Sequence, residues 1–296
     1  MELAVVALGG NSLIRPGEKG TAEQQIQRLN ETILSLKPLM KGYFLVITHG
    51  NGPQVGNLLL QQERCRSVTS EMPLDALDAM TQGQLGYWIQ QSVENILKRN
   101  AVTIVTRVLV DRNDPGFRSP TKPIGPYYED KVYPDMVKEP AGWRRVVASP
   151  RPVAIVDIEE IEALVRDSGF VVIACGGGGI PVIKEGDEFI GIEAVIDKDF
   201  SSAKLATQLK AESLIILTYV PCVYRNYGKP DQKPISKLTI AEAKVLLAAN
   251  EFGEGSMKPK IEASLEFLAG VGKRVLITSQ QELGNALAGK SGTVIK

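Results

Sequence analysis

The chain has 296 residues, 44% of them apolar, with 34 basic and 34 acidic side chains and hence no net charge. That length and composition suit one large α/β domain or two smaller ones with an ample core, and exclude a disordered chain. The charge balance argues against a broad nucleic-acid or anionic-membrane surface, while leaving room for a local cationic pocket.

Leu3 to Leu8 is a buried-strand run broken by Gly9-Gly10-Asn11. Thr21 to Gln24 has capping-box spacing, and Ile26, Leu29, Ile33 and Leu36 recur at helical spacing behind it. Tyr43 to Thr48 predicts a second strand, ending in His49-Gly50-Asn51-Gly52-Pro53, with a helix from Gln54. A long helix is expected from Leu74 to Lys98, with Leu77, Met80, Trp88 and Ile96 facing inward. Val102 to Val110 predicts a third strand. Eight prolines then fall between Asp111 and Pro152 and the periodicity fades, which marks a functional insert. Tyr127, Tyr128 and Trp143 favour a packed insert over a disordered one.

Alternation resumes with a strand at Val153 to Val156 and a helix from Ile158 to Arg166. Phe170 to Cys175 is a strand that runs into four glycines, Gly176 to Gly179. A hairpin built on Val182-Ile183 and Phe189-Ile190 leads to Asp197-Lys198-Asp199 and a helix with Phe200, Ala203, Ala206 and Leu209. Leu214 to Leu217 is a strand, Thr239 to Glu242 caps a helix, and Pro259-Lys260 begin another with Ile261, Leu265 and Leu268. Val275 to Ile277 is a strand, Ser279 to Glu282 has capping-box spacing, and Thr293 to Ile295 reads as a last edge strand. Strands alternating with helices imply a mainly parallel sheet covered on both faces.

No stretch reaches the roughly 18 apolar residues of a membrane span. The N-terminus begins with a strand-like run and lacks a basic segment, so no secretory signal is expected. Cys65, Cys175 and Cys222 are far apart and odd in number; they read as thiols of a reducing cytoplasm, not as a disulfide frame or zinc site.

Three apolar runs end in glycine turns, at Gly9-Gly10, at Gly50 to Gly52 and at Gly176 to Gly179. In parallel sheets ligands sit beyond the carboxyl ends of the strands, where glycine lets backbone amides approach an anion. A single glycine after a strand is ordinarily only a turn; three together point to an anion site. Gly284 to Ser291 fits the letters of a P-loop, but too few residues follow for the helix that motif needs, and we set it aside. His49 is the only histidine, so no triad or histidine-rich metal site can be assembled without it. Its plain reading is an anchor for the glycine turn. Phosphoryl transfer to an oxygen that is already anionic needs positioned cations and Mg²⁺ rather than a histidine base. Lys122, Lys198 and Lys260 are the candidate cations, with Asp199 to orient them; the competing reading is that each is a solvated surface group.

The motifs Val6 to Asn11, Thr48 to Asn57, Ala79-Met80-Thr81-Gln82-Gly83, Pro120-Thr121-Lys122-Pro123-Ile124-Gly125-Pro126, Cys175 to Pro181, Val195 to Phe200, and Gly255-Ser256-Met257 with Pro259-Lys260 together resemble carbamate kinase, a branch of the amino-acid kinases, over nearly the whole chain. The resemblance implies a three-layer α/β/α sandwich with a mainly parallel central sheet. It implies a single domain with a small protruding lid at residues 111–152. It implies reversible transfer between carbamoyl phosphate plus MgADP and carbamate plus ATP, in a cytoplasmic homodimer with no nucleic-acid or membrane partner. By that likeness Gly9, Gly10, Asn11, Gly50, Asn51 and Gly52 line the substrate end. Lys122 reaches in from the lid, Lys198 and Lys260 flank the transferring phosphoryl, and Asp199 organises them. Gly176, Gly177, Gly178, Thr218, Tyr224, Met257 and Pro259 would face phosphate and nucleotide. Mg²⁺ would be held mainly by the nucleotide phosphates. The chain departs from the family at Tyr219 and Pro221, where many members carry Asp, which puts the nucleotide side in question. A non-catalytic nucleotide-binding homologue and a sister kinase with another acyl phosphate are the alternatives. Retention of the three lysines speaks against the first, and the Lys122 segment against the second.

Overall fold

The computed structural model describes residues 1–14, 18–139, 141–252 and 256–296; the side chain of Asn11 lies outside the description. In chain order the first elements are β1 (Glu2–Leu8), α1 (Ala22–Ser35), β2 (Tyr43–His49), α2 (Gly52–Cys65) and α3 (Leu74–Ser92). β3 (Ala101–Thr103), β4 (Arg107–Val110), β5 (Lys122–Tyr128), β6 (Met136–Glu139), β7 (Gly142–Val147) and β8 (Pro152–Ile155) follow, then α4 (Ile158–Arg166) and β9 (Val171–Ile173). The rest of the chain contributes β10 (Ile180–Glu185), β11 (Glu188–Gly191), α5 (Lys198–Gln208), β12 (Ser213–Thr218), β13 (Val223–Arg225), β14 (Lys233–Ile235) and β15 (Lys237–Leu238). It closes with α6 (Ile240–Ala248), α7 (Met257–Ala269), β16 (Arg274–Ser279), α8 (Leu283–Leu287) and β17 (Thr293–Ile295).

The central sheet has eight strands in the order β15-β17-β16-β12-β1-β2-β9-β3. All its pairings are parallel except β16 with β17. Because side chains alternate along a strand, β1 sends Leu3, Val5 and Ala7 to one face and Ala4, Val6 and Leu8 to the other. The first set packs with Ile161 and Val165 of α4, Leu205 of α5 and Phe267 of α7. The second packs with Leu29 and Ile33 of α1 and Leu85 and Ile89 of α3. Two separate cores on one sheet make the three-layer α/β/α sandwich. The capping boxes at Thr21–Gln24 and Thr239–Glu242 both form. No described helix is long and apolar enough to cross a membrane.

Four local expectations change. The run Val102–Val110 is two strands in two sheets: β3 edges the central sheet, whereas β4 joins a four-stranded sheet ordered β11-β10-β4-β8. The break falls at Thr106, which is fully buried; its amide bonds the Gln82 side chain, and its carbonyl accepts both from that side chain and from the Ile180 amide that opens β10. Met80 faces solvent at 45% exposure, because α3 turns Leu77, Thr81, Gln82, Leu85 and Ile89 inward. β17 is not an edge strand, since the two-residue β15 pairs with it on its outer side. At Ser279–Glu282 only half a box forms: Ser279 accepts the Glu282 amide, while the Glu282 carboxylate bonds Asn285. The proline-rich stretch folds as its own antiparallel sheet, β5-β7-β6.

Candidate active site

The strands β12, β1, β2 and β9 are neighbours, so the turns that follow them share one edge of the sheet. α5 starts at this edge. Its first turn is tied to the β2 and β9 turns: Ser202 Oγ bonds Thr48 Oγ1 at 2.6 Å, and Ser201 Oγ donates to the Gly178 carbonyl at 2.5 Å. A side chain at Gly50 would lie 3.4 Å from Lys198 Cδ. The turn after β1 is equally close to β12, where a Cβ on Gly9 would meet the Leu217 carbonyl at 2.6 Å. Thr218, the last residue of β12, therefore borders Gly9; Gly10 is exposed.

Asp197 caps α5, its Oδ1 accepting the Asp199 amide at 2.8 Å. That cap places Lys198 and Asp199 in the first turn, both buried. Lys198 Nζ donates to Asp199 Oδ1 at 2.6 Å. Lys260, in the first turn of α7, donates to Asp199 Oδ2 at 3.0 Å and to the Ser256 carbonyl at 3.1 Å. One carboxylate thus holds two ammonium groups. Lys122 arrives from β5 and donates to Asp197 Oδ2 at 2.7 Å. Three lysines far apart in sequence meet on two aspartates two residues apart, and none is the solvated surface group of the competing reading.

Burial works against charge at Asp199, yet Lys198 and Lys260 outweigh it and hold the carboxyl below the usual carboxylate range. Asp197 behaves alike: burial and Asp199 push it up, and Lys122 prevails, lowering it. Burial pulls the Lys198 ammonium below the ordinary lysine range; Asp199 opposes that fall and Lys260 adds to it.

His49 is the predicted anchor. Burial lowers its pKa to about 4, with the bond to Gly50 opposing and Lys198 assisting. It is therefore neutral, its Nδ1 donating to the Gly50 carbonyl at 3.1 Å. A Cβ on Gly176 would sit 2.5 Å from His49 Nε2, and one on Gly177 would sit 2.3 Å from Asn51 Nδ2. The β9 turn is thus pressed against the β2 turn, and Gly177 and Gly178 take positive φ of 70° and 102°. Gly176, Gly177 and Gly178 are all buried. Asn51 is buried and sits at the position before α2 without its side chain capping that helix, and Gly52 begins the helix.

On the expected nucleotide side, Met257 and Pro259 share the first turn of α7 with Lys260, and Tyr224 lies on the separate β13–β14 ribbon against Tyr227. None of these, nor Thr218, bonds the lysine cluster among the described residues. Tyr219 is exposed, and the Pro221 carbonyl accepts from Thr278. Gly255 lies outside the described residues, as does the side chain of Asn11. Two residues went unassigned in the sequence. Asp197 is visible there only as the first member of an Asp-Lys-Asp triplet at a helix start. Arg144 of β7 bonds the Gly125 carbonyl and comes within 3.7 Å of where a Gly52 Cβ would lie; nothing in the sequence separates it from Arg145, which pairs with Glu63 and Asp135 instead.

The sequence pattern of the amino acid kinase family matches residues 2–279. A carbamate kinase of Halobacterium salinarum is 46% identical, the match covering 100% of this chain and 98% of that protein. The chain belongs to the amino acid kinase family. Within it, the fold follows the carbamate kinases closely. The Giardia lamblia carbamate kinase bound to citric acid superposes with a TM-score of 0.93 at 37% identity, covering 99% of this chain and 98% of that one. The same enzyme bound to AMP-PNP gives 0.90 at 38% identity, with the same coverage. In this kinase family frame the chain is a phosphotransferase, and its buried cations stand where strands of the parallel sheet end.

Proposed function

We propose that this chain is a carbamate kinase that moves a phosphoryl group between carbamoyl phosphate plus MgADP and carbamate plus ATP. The observation that carries the reading is the pair of buried ammonium groups on Asp199, with Lys122 delivered beside them from a separate sheet. The bond from phosphorus to the carbamoyl oxygen breaks, and a bond from phosphorus to a terminal β-phosphate oxygen of ADP forms. The attacking oxygen is anionic in either direction and the leaving oxygen departs as an anion, so no proton has to be removed and neutral His49 is not needed as a base. Charge gathers on the equatorial and bridging oxygens, where fixed donors in a dry site stabilise it most. Asp199 holds Lys198 and Lys260 as ammonium groups without filling all their donors, since each carries three.

Among the described residues no group of three or more histidines, cysteines or carboxylates could hold a metal ion, and Asp197 and Asp199 are engaged by lysines. Mg²⁺ is read as entering with the substrate in the nucleotide complex, in keeping with its habit of binding through phosphates and retained water. Gly9, Gly10, Asn11, Gly50, Asn51 and Gly52 form the substrate end. Gly176, Gly177, Gly178, Thr218, Tyr224, Met257 and Pro259 form the phosphate and nucleotide side. The chain is one domain, and residues 111–152 act as its lid, carrying Lys122 and excluding water that would hydrolyse carbamoyl phosphate. A cytoplasmic homodimer is what the family resemblance implies for its setting.

The test is ATP formation from ADP and carbamoyl phosphate by the purified protein. Synthesis that stops when Mg²⁺ is omitted supports the reading; no synthesis with Mg²⁺ present refutes it. Crystal structures with and without nucleotide and substrate test the lid, which fails if residues 122–147 hold one position in both.

A further inference from the structure

The stretch Ala79 to Gly83 plays no part in the chemistry above, yet Thr81 and Gln82 are fully buried against the substrate turns. Gln82 donates to the Gly176 carbonyl at 3.0 Å and so fixes the β9 turn. Thr81 and the neighbouring Asp78, also fully buried, fix Asn51. The Asn51 amide nitrogen donates to Asp78 Oδ1 and to Thr81 Oγ1, each at 2.8 Å. The Thr81 hydroxyl gives its own hydrogen to the Asp78 carbonyl, also at 2.8 Å. Thr81 Oγ1 therefore meets Asn51 as an acceptor, and only the NH₂ end of the amide satisfies it. The opposite rotamer would set oxygen against oxygen. None of the hydrogen bonds of Asn51 to Asp78 and Thr81 uses its Oδ1; the buried atom of this cluster without a partner among the described residues is Asp78 Oδ2.

We propose that Asp78 and Thr81 are positioning residues that hold the Asn51 amide with its oxygen toward the substrate, where it accepts a hydrogen bond from the NH₂ of the carbamoyl group. This deepens the carbamate kinase reading and rests on it. The arrangement selects by hydrogen bonding rather than size. A methyl group in place of that NH₂, as in acetyl phosphate, fills the same space and leaves the oxygen unpaired, the kind of mismatch that discriminates strongly. Burial also pushes the Asp78 carboxyl well above its usual range, with Asn51 opposing and Asp75 assisting.

The experiment measures kcat/KM for ATP synthesis from carbamoyl phosphate and from acetyl phosphate in the same preparation. The ratio of the two is independent of how much of a variant is folded. The unsubstituted protein should prefer carbamoyl phosphate. Thr81→Val and Asp78→Ala should lower the ratio about 10-fold, the scale of one lost hydrogen bond, with most of the loss on carbamoyl phosphate. Thr81→Ser and Asp78→Asn, which keep an acceptor facing Asn51, should hold the ratio. An unchanged ratio in both disruptive variants, or an equal loss on both substrates, overturns the proposal. If the unsubstituted protein makes no ATP from carbamoyl phosphate, the functional reading itself falls and takes this inference with it.

Discussion

Lys198 and Lys260 meet Asp199 with side chains 9%, 8% and 5% exposed, whereas Lys122 meets Asp197 with side chains 22% and 20% exposed. The first group joins two helices packed against each other in the interior. The second spans a boundary, since β5 belongs to a sheet separate from the one that α5 and α7 cover. The chemistry is the same in both, an ammonium on a carboxylate, but the first group carries two positive charges on one negative and the second is neutral. The difference separates two tasks. A buried excess cation is costly to hold and is already arranged before any substrate arrives. The half-buried pair depends instead on where the small sheet stands.

The buried group breaks most severely at Asp199. Asp199→Asn leaves two ammonium groups without their carboxylate, and should cost about 3–5 kcal/mol of stability, the scale for removing one partner of a buried pair. Urea unfolding measures it, and kcat should fall while nucleotide binding survives. Next come Lys198→Ala and Lys260→Ala, each expected to lower kcat by about 10²–10³-fold, as for loss of one preorganised donor. Near-normal kcat in both variants would end the distinction drawn here. Lys122→Ala should act more mildly, raising KM for carbamoyl phosphate along with a smaller loss of kcat, because its sheet position matters before chemistry. The smallest effect is in pH dependence. Lys198 acts as an ammonium and its pKa is lowered from 10.5, so activity should fall as pH rises through that lowered value, before an ordinary lysine titrates. The same alkaline limb should persist in Lys122→Ala; its disappearance there would assign it to the wrong lysine.

The frame of the molecule was legible because its signals are local. Strand runs that end in glycine, two complete capping boxes and the break at the prolines each sit within a few residues. What escaped depends on contacts across the chain. The gap between β3 and β4 is held at Thr106 by Gln82, 24 residues away. The inner face of α3 was misjudged at Met80 because that helix buries Asp78, Thr81 and Gln82, so apolar spacing does not mark its inward side. In the site, the lysines and Asp199 were singled out from the residues themselves as candidate cations and their orienter, and the resemblance supplied their roles. Asp197 was overlooked, since capping a helix is enough to explain an aspartate there, and its second oxygen finds Lys122 only in three dimensions.

Where α2 crosses β5 the two backbones touch: a Cβ on Gly56 would lie 2.0 Å from the Gly125 amide nitrogen, and Gly125 itself has φ of 71°. Lys122 begins the same strand, and α2 begins one residue after Asn51. There is no room at Gly56 for even one methyl group, so α2 sets where β5, and with it Lys122, stands. The reach of Lys122 to Asp197 thus rests in part on a glycine that carries no charge of its own, in the same helix that begins beside Asn51.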